Sequence, residues 1–301
     1  MALTLLETLP PELARAHAWL LERLMALDRA VVAYSGGVDS ALVAALAVET
    51  LGERVTAITG ISPALAPHLR DEARLQARWL GVIHREIPTS ELNDPAYSSN
   101  PDDRCYACKR ELHSLLAPIA AAAGGAVVLD GVNRDDLGDH RPGIRAAREF
   151  GVLSPLAEAG LDKEAVRQLS RALGLPWWDK PAQPCLASRF PYGEPIAASR
   201  LRRVAEAEAW LRQQGFAALR VRSQGDSARI ELPADQLPAV LQRLATGSWR
   251  QQLLAAFTAL GFTAVGLDLE GLVSGKLNRS LAAAAGGPAE DPGDRHGDLV
   301  A

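Results

Sequence analysis

Short runs rich in apolar and β-branched residues recur along the first half of this chain, with polar residues between them. They are VVA at 31–33, RVTAIT at 54–59, VIHREI at 82–87 and AVVL at 126–129. Runs of this length, bounded by turn residues, read as strands. Between them lie segments with apolar residues every three or four positions, at 13–27, 71–80 and 161–173, and a wholly apolar stretch of helical composition at 41–47. That period reads as helix. Gly81 and the pair Gly174 and Pro176 stop two of these helices, and Asp162 is positioned to cap the start of the last. Strands alternating with helices predict an α/β fold, a doubly wound parallel sheet with helices on both faces. Ligands of such sheets bind beyond the carboxyl ends of the strands. The polar turns at 35–40 and 130–136 both follow strands, so the pattern predicts that they share one site.

The pattern changes after the proline-dense stretch 176–195. A strong helix at 197–214 is followed by strands at 219–222 and 228–232 around a Gly225-Asp226 turn. Helices at 236–244 and 249–260 and a strand at 262–267 complete it. This predicts a smaller α+β C-terminal domain. The boundaries expected are 1–190, 191–281 and, for the alanine-, glycine- and proline-rich end, a disordered tail at 282–301.

Composition narrows the function. With 301 residues and 48% hydrophobic positions, the chain builds a substantial core. A net charge of -4 carries no basic footprint for nucleic acid. No apolar run approaches the roughly 20 residues of a membrane span. The first residues lack the basic start and apolar core of a signal peptide, so a cytoplasmic protein is expected. Cys105, Cys108 and Cys185 are an odd set of three, which does not suggest a disulfide framework.

The segment VVAYSGGVDSALVAAL, 31–46, places a strand, a Gly-rich turn and a helix start in succession. Glycines let backbone N–H groups converge, and the helix dipole favours an anion there. The turn lacks the lysine of a Walker A loop. Ser-Gly-Gly-Val-Asp-Ser resembles the PP-loop of the ATP pyrophosphatase superfamily. The resemblance implies that Ser35, Gly36, Gly37, Val38, Asp39 and Ser40 cradle the pyrophosphate end of ATP, which is split to AMP and pyrophosphate. Asp39 then holds Mg2+ or orients the loop.

Cys105 and Cys108 open a helix running towards Leu116, and Cys185 lies in the proline-dense stretch. The nearby cations Arg104, Lys109, Arg110 and Arg189 are expected to favour thiolate. The spacing is open to a redox pair or to zinc with His113 or His84, and Cys185 alone to plain burial. Three thiolates also suit a 4Fe–4S cluster with one open iron.

Three further blocks, DGVNRDDLGDHRPGIRAARE from 130, KPAQPCLASRFPYG from 180 and VRSQGDSARIELP from 221, resemble the LarE family of ATP-dependent sulfur transferases. With the loop, the resemblance extends from the first strand into the second domain. It implies adenylation of the carboxylates of pyridinium-3,5-biscarboxylic acid mononucleotide. Sulfur then displaces AMP to give thiocarboxylates, in nickel-pincer nucleotide biosynthesis. One branch of the family gives up the sulfur of a single cysteine at the position of Cys185. Another holds a 4Fe–4S cluster on three cysteines, matching Cys105, Cys108 and Cys185, and this chain resembles the latter. Arg141, Ser188, Arg189 and Arg222 are candidates for substrate phosphate or carboxylate, since arginine grips both bidentately. Asp136 is a candidate for Mg2+ or ribose, or for a turn cap. Trp177 and Trp178 are expected in core packing. The family resemblance also implies a homo-oligomer and an external sulfide source. Competing readings are a tRNA thiolase, an NAD synthetase-like ligase and a nucleotide-binding module without chemistry.

Overall fold

The structure, a computed structural model, describes residues 3–138, 142–273 and 275–279. Arg141 and the expected tail at 282–301 lie outside the described residues. The chain divides into two compact units: Met1–Ala187 with Pro195–Ala205, and Ser188–Glu194 with Glu206–Ala301. It therefore passes between them three times, where a single boundary at 190 was expected.

In the first unit β1 (Ala30–Ala33), β2 (Val55–Ile61), β3 (Ile83–Pro88) and β4 (Val127–Leu129) form one parallel sheet in the order β3-β2-β1-β4. Its helices are α1 (Pro11–Met25), α2 (Val38–Leu51), α3 (Pro67–Leu80), α4 (Pro95–Ser98) and α5 (Arg104–Ala122). After β4 come α6 (Arg134–Leu137), α7 (Pro142–Glu149), α8 (Pro155–Glu158) and α9 (Lys163–Ala172). Neighbouring residues of β1 face opposite sides, as the strand period requires. Val32 packs in a cluster with Leu42, Leu46 and Leu169, whereas Val31 and Ala33 pack with Ile58, Leu116 and Ala120. Helices thus cover both faces. Every residue from Ala41 to Ala47 is buried, which is the environment an all-round apolar helix requires. Gly81, at φ 68°, ends α3 in the left-handed conformation, and the Asp162 carboxylate accepts from the Ala165 N–H at 2.8 Å to start α9. The four-residue helices α4, α6 and α8 are too short to show a period in the sequence.

The sheet order places the site. The chain leaves β1 towards β2 and β3, then returns to put β4 on the other side of β1. The turns after β1 and β4 therefore flank the point where strand order reverses, the usual position of a ligand crevice.

Helix α10 (Ala198–Gln213) starts in the residues of the first unit and ends in those of the second. In the second unit β5 (Arg220–Gln224) and β6 (Ser227–Glu231) form an antiparallel hairpin, and β7 (Ala264–Leu267) pairs parallel to β6. Gly225, at φ 55°, makes the hairpin turn. The helices α11 (Leu237–Ala245) and α12 (Ser248–Ala259) follow β6. Leu253 and Phe257 of α12 are buried, and Phe257 packs on Phe262 with ring centroids 5.6 Å apart.

Candidate functional site

The turn after β1 is built from its own short side chains. The Ser35 and Ser40 hydroxyls are 3.0 Å apart, the Gly37 N–H donates to Ser35 Oγ at 3.3 Å, and Ser40 Oγ donates to the Gly37 carbonyl at 3.2 Å. Gly36 adopts φ 68°, and a Cβ there would lie 2.9 Å from the Ala73 Cβ, so only glycine fits. Gly37 is the N-cap of α2 and supplies no side-chain acceptor, which leaves the first N–H groups of a 14-residue helix for an outside anion. Val38 and Ser40 are buried on this first turn.

The turn after β4 closes against it, as expected. A Cβ on Gly131 would meet the Ser40 backbone nitrogen at 2.6 Å, so the two backbones touch here. Asn133 Nδ2 donates to Asp39 Oδ1 at 3.2 Å. Asp136 stands in a capping box: its Oδ2 accepts from the Asn133 N–H at 3.1 Å, and the Asn133 side chain accepts from the Asp136 N–H. Asp130 is buried, and burial pushes its carboxyl pKa up.

Two lysines reach this loop from later segments, and neither stands out in the sequence. Lys163 Nζ lies 2.5 Å from Asp39 Oδ2, across 124 positions. Lys180 Nζ donates to the Gly36 carbonyl at 2.9 Å and pairs with Glu72 at 2.6 Å. The only local signal was position: Lys163 follows a helix cap and Lys180 precedes the Pro-rich run.

The thiols belong to the first unit as well. Cys105 and Cys108 are one turn apart on α5; Cys105 is exposed and Cys108 half-buried. Cys185 is exposed, in a segment tied down on either side. Gln183 Oε1 lies 3.1 Å from His68 Nε2, and the Leu186 N–H donates to the Ala64 carbonyl at 2.8 Å. Burial pushes the Cys108 thiol up to about 12, and negative charge on Cys185, Glu91 and Cys105 adds to the shift, so both other thiols lie within electrostatic reach. The expected thiolate-favouring cations do not prevail at Cys108. Lys109 acts to lower it but is outweighed, and Arg110 is bound to Asp94 at 2.8 Å. Tyr97 is buried beside Cys185 and Cys108; its hydroxyl has no partner, and burial raises its pKa. Among the described residues no three His, Cys, Asp or Glu side chains converge as a metal site. His84 Nε2 is 2.8 Å from Thr59 Oγ1, and His113 is buried.

In the second unit, the candidate arginines are locked in a buried charge network. Arg189 forks onto Glu208 at 2.7 and 3.2 Å, and its third nitrogen donates to Ser188 Oγ at 2.9 Å. Arg222 pairs with Glu231 through contacts of 3.0 Å and donates to the Ser188 carbonyl at 2.6 Å. Arg220, not singled out in the sequence, is half-buried beside them; desolvation first, then Arg222 and Arg189, lower its pKa. Trp177 packs edge-to-face on Trp79 in the first unit, as its size suggested.

No protein-family profile matches the chain. It is 54% identical over 255 residues, 85% of its length, to an uncharacterised protein of Synechocystis sp., of which it covers 94%. It is 38% identical over 273 residues to the pyridinium-3,5-bisthiocarboxylic acid mononucleotide synthase of Lactiplantibacillus plantarum, across 90% of this chain and 97% of that enzyme. The chain belongs to the LarE family. A shorter stretch, 50% of this chain, is 42% identical over 160 residues to the NH3-dependent NAD+ synthetase of Methanosarcina acetivorans, covering 60% of it. The LarE fold here is accordingly the PP-loop α/β fold, and the four-stranded parallel sheet agrees with it.

Proposed function

We propose that this protein makes pyridinium-3,5-bisthiocarboxylic acid mononucleotide from the biscarboxylic acid at the expense of ATP, for nickel-pincer nucleotide synthesis. The match to the Lactiplantibacillus plantarum synthase along 97% of that enzyme carries the reading. The β1–α2 turn supplies the chemistry that such a reaction needs. Ser35, Gly36, Gly37, Val38, Asp39 and Ser40 hold the phosphates of ATP. A substrate carboxylate oxygen attacks the α-phosphorus, and pyrophosphate leaves with the bonding electrons. A sulfur nucleophile then adds to the activated carbonyl carbon, and AMP leaves. Mg2+ typically binds through one or two carboxylates plus substrate phosphates, and Asp39 is the carboxylate of this loop. Asp136 stays second choice, because it caps α6. Arg141, Ser188, Arg189 and Arg222 are the proposed side chains for the substrate's phosphate and carboxylates.

Cys105, Cys108 and Cys185 are proposed as ligands of a 4Fe–4S cluster. Three thiolates with no fourth cysteine would suit a cluster with one open iron, and the electrostatic reach of Cys105 and Cys185 on Cys108 supports that reading, although no three ligating side chains converge among the described residues. Such a cluster, when bound, supplies hydrosulfide. The exposure of Cys185 favours a second reading, in which its own sulfur is transferred and dehydroalanine remains. The protein is proposed to act in the cytoplasm as a homo-oligomer; among the described residues no helix is long and apolar enough to cross a membrane.

The test is anaerobic purification with iron and sulfide analysis, then incubation with ATP, sulfide and the pyridinium dicarboxylate. Iron, AMP and a thiolated product support the cluster route. Loss of hydrogen sulfide from Cys185 by mass spectrometry supports the sacrificial one. Neither product nor pyrophosphate overturns the reading. Cys185→Ala is expected to abolish thiolation on both routes while pyrophosphate release continues.

A further inference from the structure

The buried imidazole of His113 plays no part in the adenylation or thiol chemistry, yet it lines a pocket of its own. We propose that this pocket, on the open edge of the parallel sheet, binds a small neutral aromatic alcohol, a phenol-type ring whose hydroxyl pairs with the His113 imidazole and the Val128 N–H. The pocket lies within the first unit, between α5, β4 and the turn after α7. It stands apart from the β1–α2 turn and does not depend on ATP being bound there.

Two groups make the polar end of the pocket. His113 is 1% exposed, and neither ring nitrogen has a hydrogen-bond partner. A buried polar group left in this state costs stability until something polar reaches it. Burial holds its pKa down to about 4, so at neutral pH one ring nitrogen donates a hydrogen bond and the other accepts one. Val128 supplies the second group. β4 is an edge strand, and on the side away from β1 the Leu153 N–H donates to the Val128 carbonyl at 2.9 Å. In a strand the N–H of a residue points to the same side as its carbonyl, so the Val128 N–H faces the pocket that Val128 lines. Pairing on that side stops at the Leu129–Leu153 bridge among the described residues, because the chain turns away at Gly151, φ 65°.

The remaining walls are apolar. The pocket encloses about 310 Å3, around twice the roughly 150 Å3 that holds a benzene molecule. His113, Ala117 and Ala121 stand four residues apart on one face of α5, and the two alanines leave open the space that longer side chains would take. Phe150 forms the rim: it is 37% exposed and tilted 35° to the His113 ring, with centroids 6.2 Å apart. Two rings so placed favour a flat guest. Among the described residues no charged side chain lines the pocket, so a carboxylate or an amine would enter without a counter-charge. A hydroxyl satisfies both polar groups at once. Its oxygen accepts from the Val128 N–H, and its O–H donates to the unprotonated nitrogen of His113.

The test titrates the full chain, isotopically labelled at histidine, with phenol, toluene and benzoate while NMR follows the imidazole signals. The His113 signal is the one missing from His113→Phe. Phenol is expected to shift it saturably and to bind about tenfold more tightly than toluene, the worth of one hydrogen bond to a buried group. Benzoate should leave it in place. Ala117 is exposed, so Ala117→Leu fills the pocket without disturbing the core; it should abolish the phenol response at an unchanged melting temperature. In His113→Phe the preference for phenol over toluene, read by saturation-transfer NMR of the two probes, should vanish. Equal affinity of the unaltered chain for phenol and either toluene or benzoate overturns the proposal, and so does a phenol response that persists in Ala117→Leu. A His113 signal that no probe moves marks a pocket holding water only and overturns it too. No step needs ATP or the pyridinium substrate, so failure of the proposed reaction leaves this result standing.

Discussion

Lys163–Asp39 and Arg189–Glu208 are both close ion pairs, at 2.5 and 2.7 Å, but they sit in opposite surroundings. The lysine pair keeps 34% and 22% of its side-chain surface, whereas the arginine pair keeps 5% and 2%. Arg222–Glu231 resembles the second, at 9% and 0%. Water can replace either partner of the first pair, so it separates cheaply and can trade partners with a ligand. Neither partner of the sealed pairs can be removed without leaving a buried charge. Sequence patterns made Arg189 and Arg222 look like ligand-gripping residues and left Lys163 unnoticed. Burial ties Arg189 and Arg222 to carboxylates of their own unit and leaves the Lys163 pair open to water.

The contrast breaks or sharpens in four ways. The largest effect is expected for Glu208→Ala, which strands Arg189 and should cost about 3–5 kcal/mol in urea unfolding; a loss below about 1 kcal/mol would place the sealed pair with the open one. A buried neutral group extends the same logic. His113 is buried without partners for its ring nitrogens, and burial holds its pKa down to about 4, against an ordinary 6.5. Since the unfolded chain then binds the proton more readily, stability is full above pH 6.5 and falls as pH drops towards 4. The loss reaches about 3 kcal/mol. Acid titration of unfolding should show this slope in the unaltered chain and lose it in His113→Phe. Third, exposure separates the thiols. Iodoacetamide at pH 8, followed by peptide mass spectrometry, should label exposed Cys105 and Cys185 ahead of Cys108, whose thiolate forms only as pH rises towards about 12. A rate difference of about tenfold or more is expected. The smallest effect is the stability change of Lys163→Met, about 1 kcal/mol or less; a larger loss would make the open pair structural after all.

Much of the fold was legible because its signals are local. Short apolar runs marked the strands at 31–33 and 126–129, and helical composition marked the helix that begins after Ser35-Gly36-Gly37. Gly81 and Asp162 act where they stand, as stop and cap. The helices of four residues, α4, α6 and α8, were not legible, since four residues span barely one turn and show no period. The division between units was harder still: Ser188–Glu194 and Pro195–Ala205 belong to different units although they adjoin, and the chain crosses back before its final change of unit at 205–206. At Cys108 the neighbouring lysine and arginines suggested a low thiol pKa, but sequence neighbours count little once burial and two more thiols act on the same sulfur.

The sequence by itself determined the strand–turn–helix that cradles an anion, because serine, glycine and a helix start act over six adjacent residues. It also determined the set of three thiols and, through motif blocks spread along the chain, the family. Only the tertiary structure decided which charges face that cradle. Asp39 meets Asn133 across 94 positions and Lys163 across 124, because β4 returns to pair beside β1 and carries its loop, and the helix beyond it, to the same edge of the sheet. Pairing at such separations depends on strand order, which no local pattern encodes.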